Sequence, residues 1–443
     1  MRIFHITAGA AGMYCGSCIR DNALAAEMIR QGHQVLLLPL YTPTLTDETN
    51  VSLDRIFFGG ISVYLEQYSP RFRRMPRWVN RVLDSPRLIN LLTRFSISNN
   101  PRLLGEMTVS MLRGEDGYQN REFSALVEWL GTQPRPDVVT LHDSMLIRLA
   151  EPIRRALGCA VVCTLQGEDI FLQNLLEPYR SQALDLIHAH ADAADGYIAV
   201  SHYYADFMAG FLSLPRKKVH VVPLGINLEG YDPLPPRRNA RHDFRIGYFA
   251  RVTPEKGLHT LCEAYRILRH GNRLPASRLE AAGYIAPEHH EYLRGVERRM
   301  REWGLSAEFQ YRGVLSREGK IRFLQGLDVL SVPCAYAEPK GLYMLEAMAC
   351  GTPIVQPRHG SITEVVEHSG GGLLFEPGNA EALAEALHSL CQNPDVAADL
   401  GRKGAAAVRR HYSVEQEARR SVEIYEELLR VSARGAVPAP RPA

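Results

Sequence analysis

The sequence predicts an α/β protein built from two parallel-sheet domains. Three observations carry that expectation. A chain of 443 residues exceeds what one ordinary hydrophobic core accommodates, and two domains of about 200 residues each are the natural division. Short apolar runs of strand length alternate with stretches of helical apolar period in both halves, as expected of strand–helix–strand units around a parallel sheet. Most of those runs end in a Gly-containing or polar turn, and ligands of open parallel sheets bind beyond the carboxyl ends of the strands.

Composition narrows the class. An apolar content of 46% with 23% charged residues is that of a soluble globular protein. A net charge of +2 gives no global case for nucleic acid. No run of 18 apolar residues is present, so no transmembrane helix is expected. The opening M-R-I-F-H-I-T-A-G enters a strand at once without a signal-peptide pattern. The eight cysteines are too sparse for a disulfide framework, and a cytoplasmic location is expected. Cys15-Gly-Ser-Cys18 has no second pair at matching spacing and reads as small residues in a tight loop.

In the first half, Arg2 to Thr7 is a strand. Gly9, Gly12 and Gly16 follow, then a helix from about Arg20 to Gln31 closed by Gly32, then a strand from Gln34 to Leu38. This is half of a nucleotide-binding unit, although its glycines do not match G-x-G-x-x-G. Arg71 to Arg113 holds nine arginines against Asp84 and Glu106, interleaved with W-V-N-R-V-L and L-I-N-L-L-T-R-F. Such a basic amphipathic segment suits a membrane surface or an acidic partner, and equally a solvated helical insertion. Further strands run Asp137–His142, Ala160–Leu165, Tyr197–Val200 and Val219–Pro223. They end in His142 and Asp143, in Gln166-Gly-Glu-Asp169, in Ser201 and in Leu224-Gly-Ile-Asn227. Asp232-Pro-Leu-Pro-Pro-Arg-Arg238 reads as an interdomain linker.

The second half opens with a strand at Arg245–Ala250 and the loop R-V-T-P-E-K-G (251–257). Arg278–Ala282 is the next strand, a helix spans 288–303, a strand spans 307–311, and Ser316 caps a helix to Gln325. Val329–Pro333 is an apolar strand, and Glu338-Pro-Lys-Gly341 then punctuates the chain as a tight loop. From Leu342 the apolar residues Leu342, Leu345, Met348 and Ala349 follow a helical period, and Gly351 and Pro353 end it. The first backbone N–H groups of such a helix lack intrahelical partners and carry its positive end, and Gly341 permits close approach of a ligand. These features suit a diphosphate. The flanking carboxylates, Glu338 and Glu346, would repel a phosphate but accept hydrogen bonds from hydroxyls at either end of it. A diphosphate between two polyols is a nucleotide sugar. Arg251 and Lys256 supply cations in a second loop. Helices at Ala380–Leu390, Ala397–Arg410 and Val414–Val431 complete the chain.

Glu338 and Glu346, separated by seven residues and followed by A-M-A-C-G-T-P-I-V, resemble the E-x7-E signature of retaining, family-4-type glycosyltransferases of the GT-B fold. The R-x4-K-G run at Arg251–Gly257 resembles that family's diphosphate clamp, with Ala250 where Gly is more frequent. The resemblance implies two Rossmann-like domains facing across a cleft. Residues 1–232 would form the acceptor-side domain and 233–412 the nucleotide-sugar domain. Residues 413–432 would be a helix packing back on the first domain, and 433–443 a disordered tail. It further implies that Lys256 and Arg251 stabilise the leaving diphosphate, that the amides of Gly341, Leu342 and Tyr343 bind its distal phosphate, and that Glu346 holds the ribose. Glu338 would contact the donor sugar, His142 would stand near the anomeric centre, and Gly12 and Gly16 would face the sugar-phosphate. Asp143, Gln166 and Asp169 become acceptor-side candidates. No cofactor is expected, and no metal, because no D-x-D occurs. The expected partners are a UDP- or GDP-sugar, a sugar or lipid-linked acceptor and, through Arg71–Arg113, a membrane surface touched peripherally. Lys340, Gln166 and Asn227 depart from the family pattern and leave sugar and acceptor unnamed. A nucleotide-sugar epimerase or hydrolase on the same frame, or a non-catalytic nucleotide-sugar-binding subunit, are the alternatives.

Overall fold

The computed structural model describes residues 1–9, 16–58, 67, 101–233 and 243–435. Gly12, Cys15, most of the arginine-rich stretch, linker residues 234–238 and residues 436–443 lie outside the described residues. The chain forms two compact units. One is Met1–Pro223 together with the chain from Glu417 onward, and the other is Leu224–Gln416. The sequence pattern instead places the division at 232. Residues just after Pro223 go with the second unit because Ile226 exchanges backbone hydrogen bonds with the chain near its end, Ile226 N to Tyr412 O at 3.0 Å and Val414 N to Ile226 O at 3.0 Å.

In the first unit six strands form one parallel sheet. They are β1 Arg2–Thr7, β2 Gln34–Pro39, β3 Val138–Leu141, β4 Ala160–Leu165, β5 Gly196–Ala199 and β6 Val219–Val221, in the order β2-β1-β3-β4-β5-β6. All of A-V-V-C-T-L in β4 is buried, which is why parallel strands covered on both faces read as unbroken apolar runs. The helix Gly16–Arg30 begins at Gly16 rather than at Arg20, so Gly16 is its first residue and not part of the preceding loop.

The last helix, Val414–Gly435, runs into the stretch expected to be an unstructured tail. Its Ala418, Val422, Ile424, Tyr425 and Leu428 share a core with Ile3, Leu24, Met28, Val138 and Val162. Each large aliphatic side chain buried there contributes about 1.5–3 kcal/mol relative to exposure. Beside that apolar seam, Arg20 on the first helix donates to Glu417 at 2.6 Å.

The second unit repeats the plan. Strands β7 Phe244–Phe249, β8 Ser277–Ala282, β9 Phe309–Tyr311, β10 Val329–Leu330, β11 Ile354–Pro357 and β12 Gly372–Phe375 pair in parallel in the order β12-β11-β10-β7-β8-β9. Strand β10 is shorter than the expected 329–333. One more bond follows it, Ser331 N to Gly247 O at 2.9 Å, but Pro333 has no N–H to continue the ladder. Both sheets have a point where the winding reverses, between β1 and β3 in one and between β7 and β10 in the other. The loops leaving those strands are where such folds bind ligands.

Candidate active site

In the second unit, the loops after β7 and β10 bring Lys256 and Glu338 together. Lys256 closes a short 3₁₀ turn, Pro254–Lys256, ended by Gly257 at φ +73°. A Cβ on Gly257 would collide with the Pro333 carbonyl, so this glycine lets the two loops touch. Lys256 Nζ donates to Glu338 Oε2. Tyr336 OH donates to the same oxygen at 3.0 Å, and the Lys340 amide approaches Oε1 at 3.4 Å. The ammonium also lies 4.9 Å from the ring centroid of Tyr336 and 5.7 Å from that of Tyr343.

A lysine in a loop is ordinarily exposed, but Lys256 is not. It is 8% exposed and Glu338 is 4% exposed. Burial works against the charged form of Glu338, yet the Lys256 ammonium and the hydrogen bonds from Lys256 and Tyr336 outweigh it and hold the carboxyl below its ordinary value. For Tyr336, burial and then the charge of Glu338 push the phenol up, so it stays a neutral donor.

The helix Leu342–Ala349 starts immediately beyond. Gly341 is its N-cap in the left-handed region at φ +63°, with no side chain capping the opening amides. Leu342 and Tyr343 are its first residues, and Glu346 lies one turn on. Lys320 Nζ donates to Glu346 Oε1 at 2.7 Å and Tyr231 OH donates to the same oxygen at 3.0 Å. Arg251 is exposed, and its carbonyl accepts from Tyr248 OH at 2.8 Å. Gly360, at φ +58°, allows the Ser361 amide to donate to the Glu338 carbonyl at 3.0 Å, which fixes the loop from the far side. The second unit therefore gathers Lys256, Glu338, Gly341, Tyr343 and Glu346 around one helix N-terminus, with Arg251 in the same loop as Lys256.

In the first unit, the residues leaving β3 and β4 form a second cluster. His142 Nδ1 lies 2.7 Å from Oδ2 of Asp21, which is wholly buried on the first helix. Thr7 Oγ1 donates to the same oxygen at 2.7 Å, while Arg20 and His5 reach Oδ1 at 3.5 and 3.4 Å. Burial penalises the Asp21 carboxylate, but the charges of His142 and His5 more than offset it and the group stays ionised well below its ordinary value. An ionised acceptor at that distance makes Nδ1 the protonated nitrogen of His142. Gln166 therefore does not donate to Nδ1; its amide donates to the His142 carbonyl at 3.0 Å.

Asp143 caps the turn Ser144–Leu149 by accepting from the Met145 amide at 3.0 Å. Asp169 accepts from Tyr204 OH at 2.6 Å. Between them lies Glu168, 5% exposed, which accepts from the Ser144 amide and hydroxyl at 3.2 and 3.0 Å and from the Gln166 amide at 2.9 Å. Burial, and then the charge of Asp143, push Glu168 up to about 7.

Asp21, Lys320 and Tyr231 have no sequence signal, each being a common residue within a helix or loop whose partner is distant in the chain. Glu168 lies within the polar Gln166–Asp169 turn and Tyr336 two residues before Glu338, but residue type alone does not single out either. Among the described residues no three His, Cys, Asp or Glu side chains are grouped as metal ligands.

Residues 236–407 match the family model for glycosyl transferases group 1, and residues 106–229 that for glycosyltransferase family 4. The chain is 28% identical over 223 residues to D-inositol 3-phosphate glycosyltransferase of Pseudarthrobacter chlorophenolicus, covering 47% of this chain and 48% of that protein. It is 29% identical over 254 residues to alpha-maltose-1-phosphate synthase of Mycolicibacterium smegmatis, covering 54% and 64%. The chain thus spans less than two thirds of the length of these curated relatives. Among solved structures, sucrose-phosphate synthase from Thermosynechococcus elongatus matches with a TM-score of 0.69 at 19% identity, covering 97% of this chain and 100% of that one. HepE of Anabaena in complex with UDP matches at 0.66 and 16%, covering 96% and 99%. Those structures share the fold. With the two sheets, the strand orders and the matched segments in each half, the chain belongs to the family-4-type glycosyltransferases of the GT-B fold.

Proposed function

We propose that this chain transfers a hexosyl group from a nucleoside-diphosphate sugar to a hydroxyl acceptor, with retention of anomeric configuration and without a metal. One observation carries the reading: a buried Lys256–Glu338 pair stands beside the uncapped N-terminus at Gly341, so cation, amides and a hydroxyl acceptor meet at one point. Departure of the diphosphate builds negative charge on its leaving oxygen, and fixed cations and amides stabilise that charge without reorganising. Lys256 and Arg251 serve the leaving oxygen, and the amides of Gly341, Leu342 and Tyr343 serve the distal phosphate. Glu346 accepts from the ribose and Glu338 from the sugar. The leaving phosphate takes the acceptor's proton on the same face, so no protein nucleophile is needed. His142 orients a hydroxyl near the anomeric carbon, with Asp143, Gln166 and Asp169 on the acceptor side. Anabaena HepE has been solved with UDP-glucose, which supports a uridine donor as the first to try. The Arg71–Arg113 sequence supports peripheral contact with an anionic bilayer, where a lipid-linked acceptor would be met.

A second stereochemical outcome has one observation in its favour. An imidazole with Nδ1 held by a buried carboxylate has the arrangement of a general base. Were it to deprotonate the acceptor, the configuration would invert. The experiment is a thermal-shift screen against UDP- and GDP-sugars, in which a donor at 100 times its dissociation constant adds about 2.7 kcal/mol. Proton NMR of the product formed in EDTA from the donor that binds follows. An α-linked product from an α-configured donor supports the first reading, and a β-linked product the second. Loss of turnover in EDTA, restored by manganese, overturns the metal-free mechanism.

A further inference from the structure

Glu346 is a carboxylate with one oxygen tied down and the other open. Lys320 and Tyr231 both donate to Oε1, and among the described residues Oε2 has no hydrogen-bond donor from the protein. The donors are themselves fixed. Lys320 is 6% exposed and Tyr231 is 1% exposed. The Lys320 ammonium lies 5.9 Å from the Tyr231 ring centroid, and the Arg317 guanidinium lies 5.3 Å from it. Arg409 donates to the Tyr231 carbonyl at 2.5 Å and to the Ala349 carbonyl at 3.1 Å, tying Tyr231 to the end of the helix that carries Glu346. A buried lysine in the middle of a helix is costly unless it is paired. Lys320 pays that cost beside a carboxylate that is only partly buried, its side chain 14% exposed. A carboxylate needed only for surface charge would not require two buried donors on one oxygen. One needed to present its second oxygen in a fixed direction would.

We infer that Lys320 and Tyr231 are positioning residues for the donor nucleotide: they orient Glu346 so that Oε2 accepts from the hydroxyls of the ribose. The inference rests on the ribose role given to Glu346 above. Its ligand class is a ribonucleoside diphosphate, discriminated from its deoxy counterpart. The probes are UDP and GDP and their 2′,3′-dideoxy forms, titrated calorimetrically into wild type, Lys320→Met, Lys320→Arg, Tyr231→Phe, Glu346→Ala and the double variant Lys320→Met/Glu346→Ala. A hydrogen bond to a charged group is worth enough that Lys320→Met should weaken the ribonucleotide about tenfold or more. The dideoxy form should weaken less than about threefold, Tyr231→Phe should follow the same pattern more weakly, and the arginine variant should recover much of the loss. The double variant should bind no more weakly than Glu346→Ala alone. Equal losses for ribo and dideoxy ligands in Lys320→Met, or additive losses in the double variant, overturn the inference. If Glu346→Ala itself fails to distinguish the two sugars, the ribose reading of Glu346 falls first. Tyr231→Phe removes one hydroxyl only, so it keeps the test decisive even if the lysine variant folds poorly.

Discussion

Lys256 and Glu338, 82 residues apart in the chain, are paired with each other inside the second unit. On the proposed roles, the cation for the phosphate and the carboxylate for the sugar share one hydrogen bond. A donor bound as proposed would divide that pair, drawing the ammonium toward phosphate and leaving the carboxylate for hydroxyls.

The first consequence concerns stability. An exposed lysine could be removed at little cost to folding, but this one is buried. Lys256→Met leaves Glu338 as an unpaired buried charge, and breaking such a pair costs about 3–5 kcal/mol. Turnover should also fall by about 100-fold or more, from loss of charge stabilisation at the leaving oxygen. Urea unfolding alongside steady-state kinetics at saturating donor measures both. A variant with wild-type stability would refute the burial argument, and one with near-normal turnover would refute the clamp.

Glu338→Gln should behave differently. The glutamine keeps the shape and frees the ammonium from its counter-charge. Free nucleoside diphosphate is expected to bind at least as tightly as to wild type, while kcat falls by roughly one to two orders of magnitude because the sugar contact that strengthens in the transition state is lost. Glu346→Gln should instead raise KM and weaken diphosphate binding together. Calorimetry with the free diphosphate separates the two, and weaker binding by Glu338→Gln would mean that Lys256 is not shared.

Asp21→Asn tests the first unit's cluster. The ionised carboxylate is contacted by Arg20, His5 and His142, and its removal should cost about 3–5 kcal/mol near neutral pH. Because the folded-state value of Asp21 is depressed, its contribution is present above the unfolded value of about 3.9 and is lost as pH falls through the folded one. The gap between wild type and variant should therefore close only in strong acid. A gap already closed at pH 5 would show that Asp21 is not ionised in the fold.

Glu168 has the opposite sign. Its folded value, about 7, lies above its ordinary 4.5, so the folded state holds the extra proton between those limits. Wild-type stability should fall relative to Glu168→Gln as pH rises from about 4.5 to about 7, by at most about 1.4 kcal/mol per pH unit. The difference should be flat above that window. Denaturant midpoints of both proteins at four pH values decide it, and parallel curves would refute the assignment.

What could be read from the sequence follows from what is local. Strands buried on both faces leave continuous apolar runs, so nine of the twelve strands are legible within about two residues at each end; β10 falls short because Pro333 ends its ladder, and the short β11 and β12 are not bounded by the local pattern. Loops after strands advertised Lys256, Glu338 and His142 through glycine, proline and charge. The residues that hold His142 and Glu346 are silent in the sequence. Asp21 meets His142 across 121 residues, and Tyr231 meets Glu346 across 115. Lys320 sits in R-E-G-K-I-R-F-L-Q, where local pattern alone would turn a lysine to water. Burial of a polar residue is decided by the element packed over it, and no window of sequence contains that element.

The helix Val414–Gly435 completes a core begun by Ile3, so the first unit is discontinuous and the second is encoded within it. During synthesis the segment Leu224–Gln416 can emerge and fold while the first sheet still lacks one of its walls. At about 5–20 residues per second the roughly 200 intervening residues take on the order of 10–40 seconds. For that interval Ile3, Leu24 and Val138 lack their covering helix, and Arg20 lacks Glu417. A ribosome that stops short of Glu417 would release a finished second unit attached to an unfinished first one with an exposed apolar seam, the kind of surface on which chaperones and proteases act.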